Sequence, residues 1–314
     1  MSSPTVINRA TPTFGQRLLR DLRYNKLLWI MTIPLLAYYI LFHYLPMYGI
    51  LMAFKDYNAF KGFAGSKWVG FKHFASFFNS IYAWRVIRNT LVINSGQLIL
   101  GFPAPIILAL LMNEVRSSTF KRFVQTVTYM PHFISLVVFC GMIVTFFAKD
   151  GLINDFLAVF GAARHSYLLD NKYYRSIYVL TGIWKNIGWG SIVYMAAISR
   201  VSQELYEACT IDGGNRFTRL WHVTLPEITP TIVTLFILNM GRLMSEGPQK
   251  TILLYSPGTY ETADIISSYS YRRGLVSSEY SFGTAVGLFN NVINCLLVLL
   301  SNTISRKLTQ VSLW

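Results

Sequence analysis

Apolar positions along the 314-residue chain do not alternate with polar ones. They gather into six long stretches, at about 28–54, 89–112, 131–148, 177–198, 231–245 and 283–304, with polar segments between them. Most approach the ~20 residues a helix needs to cross a bilayer. The shorter 231–245 stretch is expected to start further upstream. Pro34, Pro46, Pro103 and Pro105 fall inside these runs. That is tolerable where neighbouring helices satisfy the freed backbone groups. The runs are too long for barrel strands, so the pattern predicts an all-α fold: a polytopic membrane bundle of about six transmembrane helices. The first stretch is longer than a signal-peptide core and no A-x-A-like site follows it, so it is expected to remain as an anchor.

Composition supports this reading. Apolar residues make up 53% and charged residues 13%, where soluble domains carry about a quarter charged residues. Disorder, collagen and nucleic-acid-binding tails are excluded by the same figures. The net charge of +14 comes from 28 basic and 14 acidic residues. In a membrane chain it points to anionic lipid and not to nucleic acid. Arg9, Arg17, Arg20, Arg23 and Lys26 precede the first stretch, and Arg116, Lys121 and Arg122 follow the second. Both segments are expected in the cytosol, as is the C-terminus with Arg306 and Lys307. The opposite loops, 55–88, 149–176 and 246–282, carry about as many basic residues, but long loops weigh less. The organisation expected is a basic cytosolic segment over 1–27, a transmembrane domain over 28–304 and a cytosolic tail over 305–314. Phe14, Leu18 and Leu22 recur every four residues, with Arg17, Arg20 and Arg23 on other faces. Residues 14–27 are therefore either an amphipathic helix on the inner leaflet or a basic flank that fixes topology.

The sharpest signal lies in the loop at 199–226. It reads Glu207-Ala208-Cys209, three residues, Gly213, nine residues, then Val223-x-Leu225-Pro226. A mere connection would be shorter. Two short helical pieces broken at Gly213-Gly214 are expected, with Pro226 in the first turn of a following helix. Such a unit is a rigid knob for docking another protein.

This segment resembles the cytosolic EAA loop of ABC importer permeases: E-A-A, three residues, G, nine residues, then I-x-L-P. Cys209 and Val223 depart from that pattern by small apolar swaps. The resemblance extends to YLPMYGILMAFKDYN at 44–58, WVGFKHFASFF at 68–78, LGFPAPIILALLMNEVRSSTFKRFVQTVTYMPHFIS at 100–135, IWKNIGWGSIVYMAAI at 183–198 and the final SRKLTQVSLW. These look like permeases for complex oligosaccharides, a subgroup that includes importers of alginate and other uronate-containing fragments. The resemblance implies a MetI-like core over about 89–304 in a bacterial cytoplasmic (inner) membrane. It also implies a half-transporter. The partners would be a second, usually non-identical, permease, two ATPase subunits that bind ATP and Mg, and an extracytoplasmic solute-binding protein. No cofactor and no catalytic residue is expected in this chain. In agreement, no G-x-x-x-x-G-K-[ST] occurs, and GFAGSKW at 62–68 has the wrong spacing. On the matched positions Glu207 would meet a donor in the ATPase, unless it only solvates the helix or pairs with Arg200. Ala208, Cys209, Leu225 and Pro226 complete the docking unit and Gly213 sets its turn. Asp212 would cap the second helix or contact the partner, and Arg216 and Arg219 would touch the ATPase or lipid headgroups.

Polar residues within the spans are pathway candidates. Asn290, Asn291 and Asn294 lie on the last stretch near Gly287 and Ser301. The competing reading is hydrogen bonding between helices. Lys185 sits with Trp184, Asn186 and Trp189, and has no acidic residue within one turn. A water-lined path for carboxylated sugars is one reading of it. Asn239 and Arg242 lie on the fifth stretch, with Glu246 placed to pair with Arg242; Asn94 and Gln97 form a weaker stripe. His43, His73, His132, His165 and His222 show no metal-ligand spacing, and no G-x-S-x-G occurs. Cys140 and Cys295 fall in spans and Cys209 in the reducing cytosol, so no disulfide is expected. An ion-gradient carrier would want intramembrane carboxylates, for which Glu246 is the nearest candidate. A membrane enzyme would want clustered carboxylates or histidines. Neither explains the loop spacing.

Overall fold

The computed structural model describes residues 24–245 and 247–309, together with Gly15 and Asp21. The amphipathic helix expected over 14–27 falls largely outside the described residues, as do Glu246 and positions 310–314. The chain divides into two compact units, residues 1–51 and 52–314.

The described chain is helical apart from a short antiparallel ribbon that pairs Lys55–Asp56 with Lys67–Trp68. Helix α1 (Lys26–Phe54) is apolar and continuous through Pro34 and Pro46. In its own unit it exposes Leu28, Ile30, Met31, Ile33 and Leu36, as a lipid-facing helix does. Helix α2 (Ala83–Glu114) follows, with a wide π turn at Gln97–Gly101 immediately before Pro103. The next expected span is two helices. Helix α3 (Ser118–Phe133) and helix α4 (Leu136–Phe146) meet at 101°. Pro131 belongs to the end of α3, and not to the start of the apolar stretch as expected. Ser135 caps α4 by accepting from Val138 N at 3.3 Å. Helix α5 (Asn171–Ile198) has 28 residues and is about 42 Å long.

By length and composition, four described helices can cross a membrane: α1, α2, α7 (Arg216–Met240) and α10 (Tyr280–Thr309); the bent α3–α4 pair makes a fifth candidate. Helix α5 is long enough but falls short in hydropathy, because Lys185, Asn186 and several glycines interrupt its middle. It nevertheless packs against α2, α3 and α7 and is the central helix of the bundle. Helix α6 (Gln203–Ile211) lies between α5 and α7, and two short helices, α8 (Pro248–Leu254) and α9 (Ile266–Tyr271), between α7 and α10.

Packing falls into three apolar clusters. Ile93, Phe139, Ile143, Tyr174 and Tyr178 join α2, α4 and α5. Val86, Met244, Ile266, Phe282 and Val286 join α2, α9 and α10. Ala109, Tyr194, Ile198 and Ile228 join α2, α5 and α7 near the Glu207 loop. At the opposite end of α5, polar contacts lock the segment 261–272 onto α2. Asn89 Nδ2 donates to the carbonyls of Glu261 (2.9 Å) and Asp264 (3.0 Å). The fully buried Asp264 carboxylate accepts from Arg272 at 3.2 and 2.5 Å and from Ser268 Oγ at 2.8 Å. Burial works against the Arg272 charge, but the hydrogen bonds and charge of Asp264 outweigh it and hold the guanidinium above its ordinary pKa.

A buried ion pair deprived of one partner leaves an uncompensated charge. Asp264→Ala is therefore expected to cost about 3–5 kcal/mol, read as a lower midpoint of thermal unfolding in detergent. Glu261→Ala, at an exposed position, should stay within about 0.5 kcal/mol.

Candidate functional site

The Glu207 loop begins with Ser202, whose hydroxyl accepts from Glu204 N at 3.2 Å and caps α6. The helix stops at Asp212, and Gly213 adopts φ +78°, a left-handed conformation that glycine takes at no steric cost. Gly214 N closes the turn on Cys209 O at 2.8 Å. Asp212 does not cap the second helix. Asn215 does, its side-chain Oδ1 accepting from Thr218 N at 2.9 Å, because it is the residue next to the first helical turn. Nor is that second helix a short piece. It runs on as α7 through a wide turn at Leu220–Thr224, which spreads the backbone just before Pro226, where a tight turn would clash with the proline ring.

A side-chain hydrogen bond braces α6 on the base of α7, which is itself packed into the bundle. Tyr206 Oη and Thr224 Oγ1 share a hydrogen bond at 3.0 Å. Val223 is buried, and Leu225 packs on the cluster around Ile228. Glu207 and Ala208 are exposed and Cys209 half-buried. Glu207 forms no ion pair among the described residues, with Arg200 or otherwise. The same segment carries exposed apolar side chains that the sequence pattern did not single out: Leu205, Ile211, Phe217 and Trp221, the last three 86%, 74% and 64% exposed. The available signal was four large apolar residues in a polar loop.

Between α2, α5 and α7 lies a cavity of about 320 Å³ whose polar lining is amide: Asn94, Gln97, Asn186 and Asn239. Asn186 donates to Gly182 O at 3.1 Å and contacts His132 Nδ1 at 3.3 Å. The His132 ring stacks flat on Trp189 at 4.6 Å. Asn239 donates to Leu235 O. An adjoining cavity of about 270 Å³ shares Asn94, Gln97 and Asn186 and adds Lys185 and Lys250. Lys185 Nζ donates to the carbonyls of Pro131 (3.2 Å) and Ile134 (2.6 Å) and lies over the Phe139 ring. Lys250, buried on α8, donates to Tyr178 O at 2.5 Å and Thr181 Oγ1 at 3.1 Å.

The asparagines of α10 separate. Asn290 and Asn294 both donate to Ser245 Oγ, at 2.9 and 2.6 Å, and Asn294 also accepts from Met244 N at 2.9 Å. Asn94 Nδ2 reaches Leu243 O at 2.6 Å. These three side chains hold the non-helical turn that follows Met240. Asn291 is exposed and, with Asn290, lines a cavity of about 490 Å³. Arg242 is exposed in the turn, and its expected partner Glu246 lies outside the described residues. Gly247 ends the turn at φ +82°, packed on the Tyr178 hydroxyl. Among the described residues, no group of His, Cys, Asp and Glu is arranged to hold a metal ion.

A family model described as "Binding-protein-dependent transport system inner membrane component" matches residues 101–310. The chain belongs to this family. It is 42% identical over 294 residues to Protein LplB of Bacillus subtilis (strain 168), covering 93% of this chain and 92% of LplB. It is 42% identical over 293 residues to the polygalacturonan/rhamnogalacturonan transport system permease protein YteP of the same organism, covering 93% and 91%. Among solved structures it matches a chain of a bacterial alginate ABC transporter in complex with an alginate pentasaccharide-bound periplasmic protein. The TM-score there is 0.88 at 41% identity, covering 95% of this chain and all of the other. Membership supports the ABC permease reading and not an ion-gradient carrier.

In an inner membrane component of this family a mid-span cation needs an explanation, and the geometry supplies one. Lys185 closes the end of α3 at the 101° bend, where the Pro131 carbonyl also accepts from Ile134 N at 3.3 Å and the Ile134 carbonyl lies past the last helical residue. A lysine held for an anionic solute alone would be dispensable to the fold. Lys185→Met is instead expected to lower stability by about 1.5–3 kcal/mol, the range for hydrogen bonds to a charged group. Thermal unfolding in detergent checks this, and Lys185→Arg should recover part of the loss.

Proposed function

We propose that this chain forms half of the membrane pathway of an ATP-driven importer for oligosaccharides, uronate-containing ones included. In this reading it sits in the bacterial cytoplasmic membrane with both termini in the cytosol. Two ATPase subunits bind ATP and Mg and carry out hydrolysis, a second, non-identical permease completes the pathway, and a solute-binding protein delivers the sugar. The uronate assignment draws on relatives whose names specify polygalacturonan, rhamnogalacturonan and alginate.

One observation carries the proposal. The exposed Glu207 helix is braced on the first turns of α7, a 25-residue helix whose far end contributes Asn239 to the amide-lined cavity. A displacement of α6 by a partner is thus passed along a stiff element to the cavity wall. Nucleotide-driven closure of the ATPase pair would bias the two orientations of the pathway through their differential affinity, with no covalent chemistry in this chain. Glu207, Ala208, Cys209, Asp212, Gly213, Leu225 and Pro226 form the coupling unit. The solute path runs by Asn186, Asn239 and Trp189. Amides beside an aromatic face suit sugar hydroxyls and ring faces. Lys185, Arg242 and Asn291 flank it, and Asn290 and Asn294 hold its wall.

Glu207→Ala in the reconstituted transporter is expected to cut uptake per ATP hydrolysed at least about tenfold, the loss of one charge-assisted contact. Gly213→Val, strained at positive φ, should do the same by displacing the helix. Uptake and ATPase rates measured together decide it. Unchanged coupling in Glu207→Ala, or a native chain that purifies with no ATPase even after cross-linking, would sink the proposal.

A further inference from the structure

The end of the bundle opposite the Glu207 loop gathers more positive charge than its own carboxylates neutralise. Asn89 on α2 is the centre of this region. It follows Arg88 directly and lies one turn beyond Arg85, and its Oδ1 accepts from Arg175 Nη2 on α5 at 2.7 Å. Arg175 Nε donates to Thr262 O at 3.3 Å. The buried carboxylate here, Asp264, is committed to Arg272 and Ser268. Arg85 reaches it only at 3.9 Å and lies over the Tyr82 ring, and its Nε has no partner among the described residues. Arg88 is exposed and forms no ion pair among the described residues; Glu261 nearby forms none either.

Like charges held together repel, and the arrangement persists most easily where an anion completes it. A guanidinium presents a planar fork of donors that matches a carboxylate two bonds at a time. Lys185, the mid-span cation, is already committed to backbone carbonyls and to the Phe139 face. We infer that Arg85, Arg88 and Arg175 form a receiving site for the carboxylates of the solute, at the end of the spans where it enters. This rests on the uronate reading above and adds the residues that select for charge. Arg88 makes the contact from an exposed position, Arg85 adds a second guanidinium one turn away, and Arg175, whose Nε and Nη2 are held by Thr262 O and Asn89 Oδ1, adds its charge beside them.

The test uses the complete transporter, with its ATPases, second permease and binding protein, in vesicles of zwitterionic lipid. Uptake of a uronate oligosaccharide is compared with that of its carboxyl-reduced, neutral counterpart. Arg88→Gln should raise the ratio of acidic to neutral KM about tenfold, the loss of one charge-assisted contact. Arg88→Lys should recover part of that ratio, and added salt should weaken acidic uptake in the wild type more than in the variant. Arg85→Gln should shift the ratio in the same direction. Arg175→Gln risks the fold through Asn89, so Arg88 carries the decision. Equal KM changes for both sugars in Arg88→Gln would overturn the site while leaving the uronate reading intact. So would a defect seen only in vesicles containing anionic lipid, which would make the cluster a headgroup contact. A wild-type transporter that takes up only the neutral sugar would overturn the uronate reading, and this site with it.

Discussion

In an apolar bundle, a backbone break must be closed from within the protein, by side chains or neighbouring backbone, because lipid offers no hydrogen bonds. That constraint organises this molecule. At the 101° bend between α3 and α4, Lys185 of α5 meets the carbonyls of Ile134 and of Pro131, the latter also accepting from Ile134 N. The turn after Met240 is met by Asn94 from α2 and by Asn294 from α10, with Ser245 accepting from Asn290 as well. Lys250 fastens α8 to α5 in the same way. Remove these side chains and the breaks would have to heal into straight helices, which would eliminate the cavities the breaks line.

Breaks and rigid elements divide the labour of transport. Helix α7 runs without a break from the capped turn at Asn215 to Met240, with a wide turn ahead of Pro226 and with Pro230 accommodated inside it. On the coupling role proposed above, stiffness there would make the Glu207 helix an effective handle. The helix ends at Met240, and beyond it Asn94 and Asn294 meet backbone groups of the turn that helical hydrogen bonds would otherwise take. A site that must open and close is well served by this pairing of a stiff lever and a side-chain-held turn.

Charge follows a separate logic. Lys185 and Lys250, which line one cavity, are both held by backbone carbonyls, whereas Arg85, Arg88, Arg175 and Arg272 cluster at the end opposite the Glu207 loop, where the buried Asp264 pairs with Arg272 and lies 3.9 Å from Arg85. Lysine's compact ammonium suits a carbonyl cluster, and arginine's fork suits carboxylates. These two lysines thus have structural partners, and the unneutralised arginines stand at the end that the proposed orientation would turn toward an incoming anion.

Much of this was legible from the chain alone. The apolar runs are long enough to specify membrane helices whatever their neighbours, and the Glu207-to-Pro226 spacing places a glycine turn where only a left-handed residue closes the helix. Both are local consequences of period and backbone geometry. What the sequence could not decide is which partner each polar residue meets. Asn290, Asn291 and Asn294 share a stripe, yet two turn to Ser245 and one to the surface. Lys185 looked unpaired because its partners are carbonyls some fifty residues away, and backbone acceptors leave no mark in a sequence. Asp264, Arg272 and Asn89 come from segments more than 170 residues apart, joined only when α2 packs against the 261–272 segment. Periodicity assigns a residue to a face; only tertiary packing decides what that face touches.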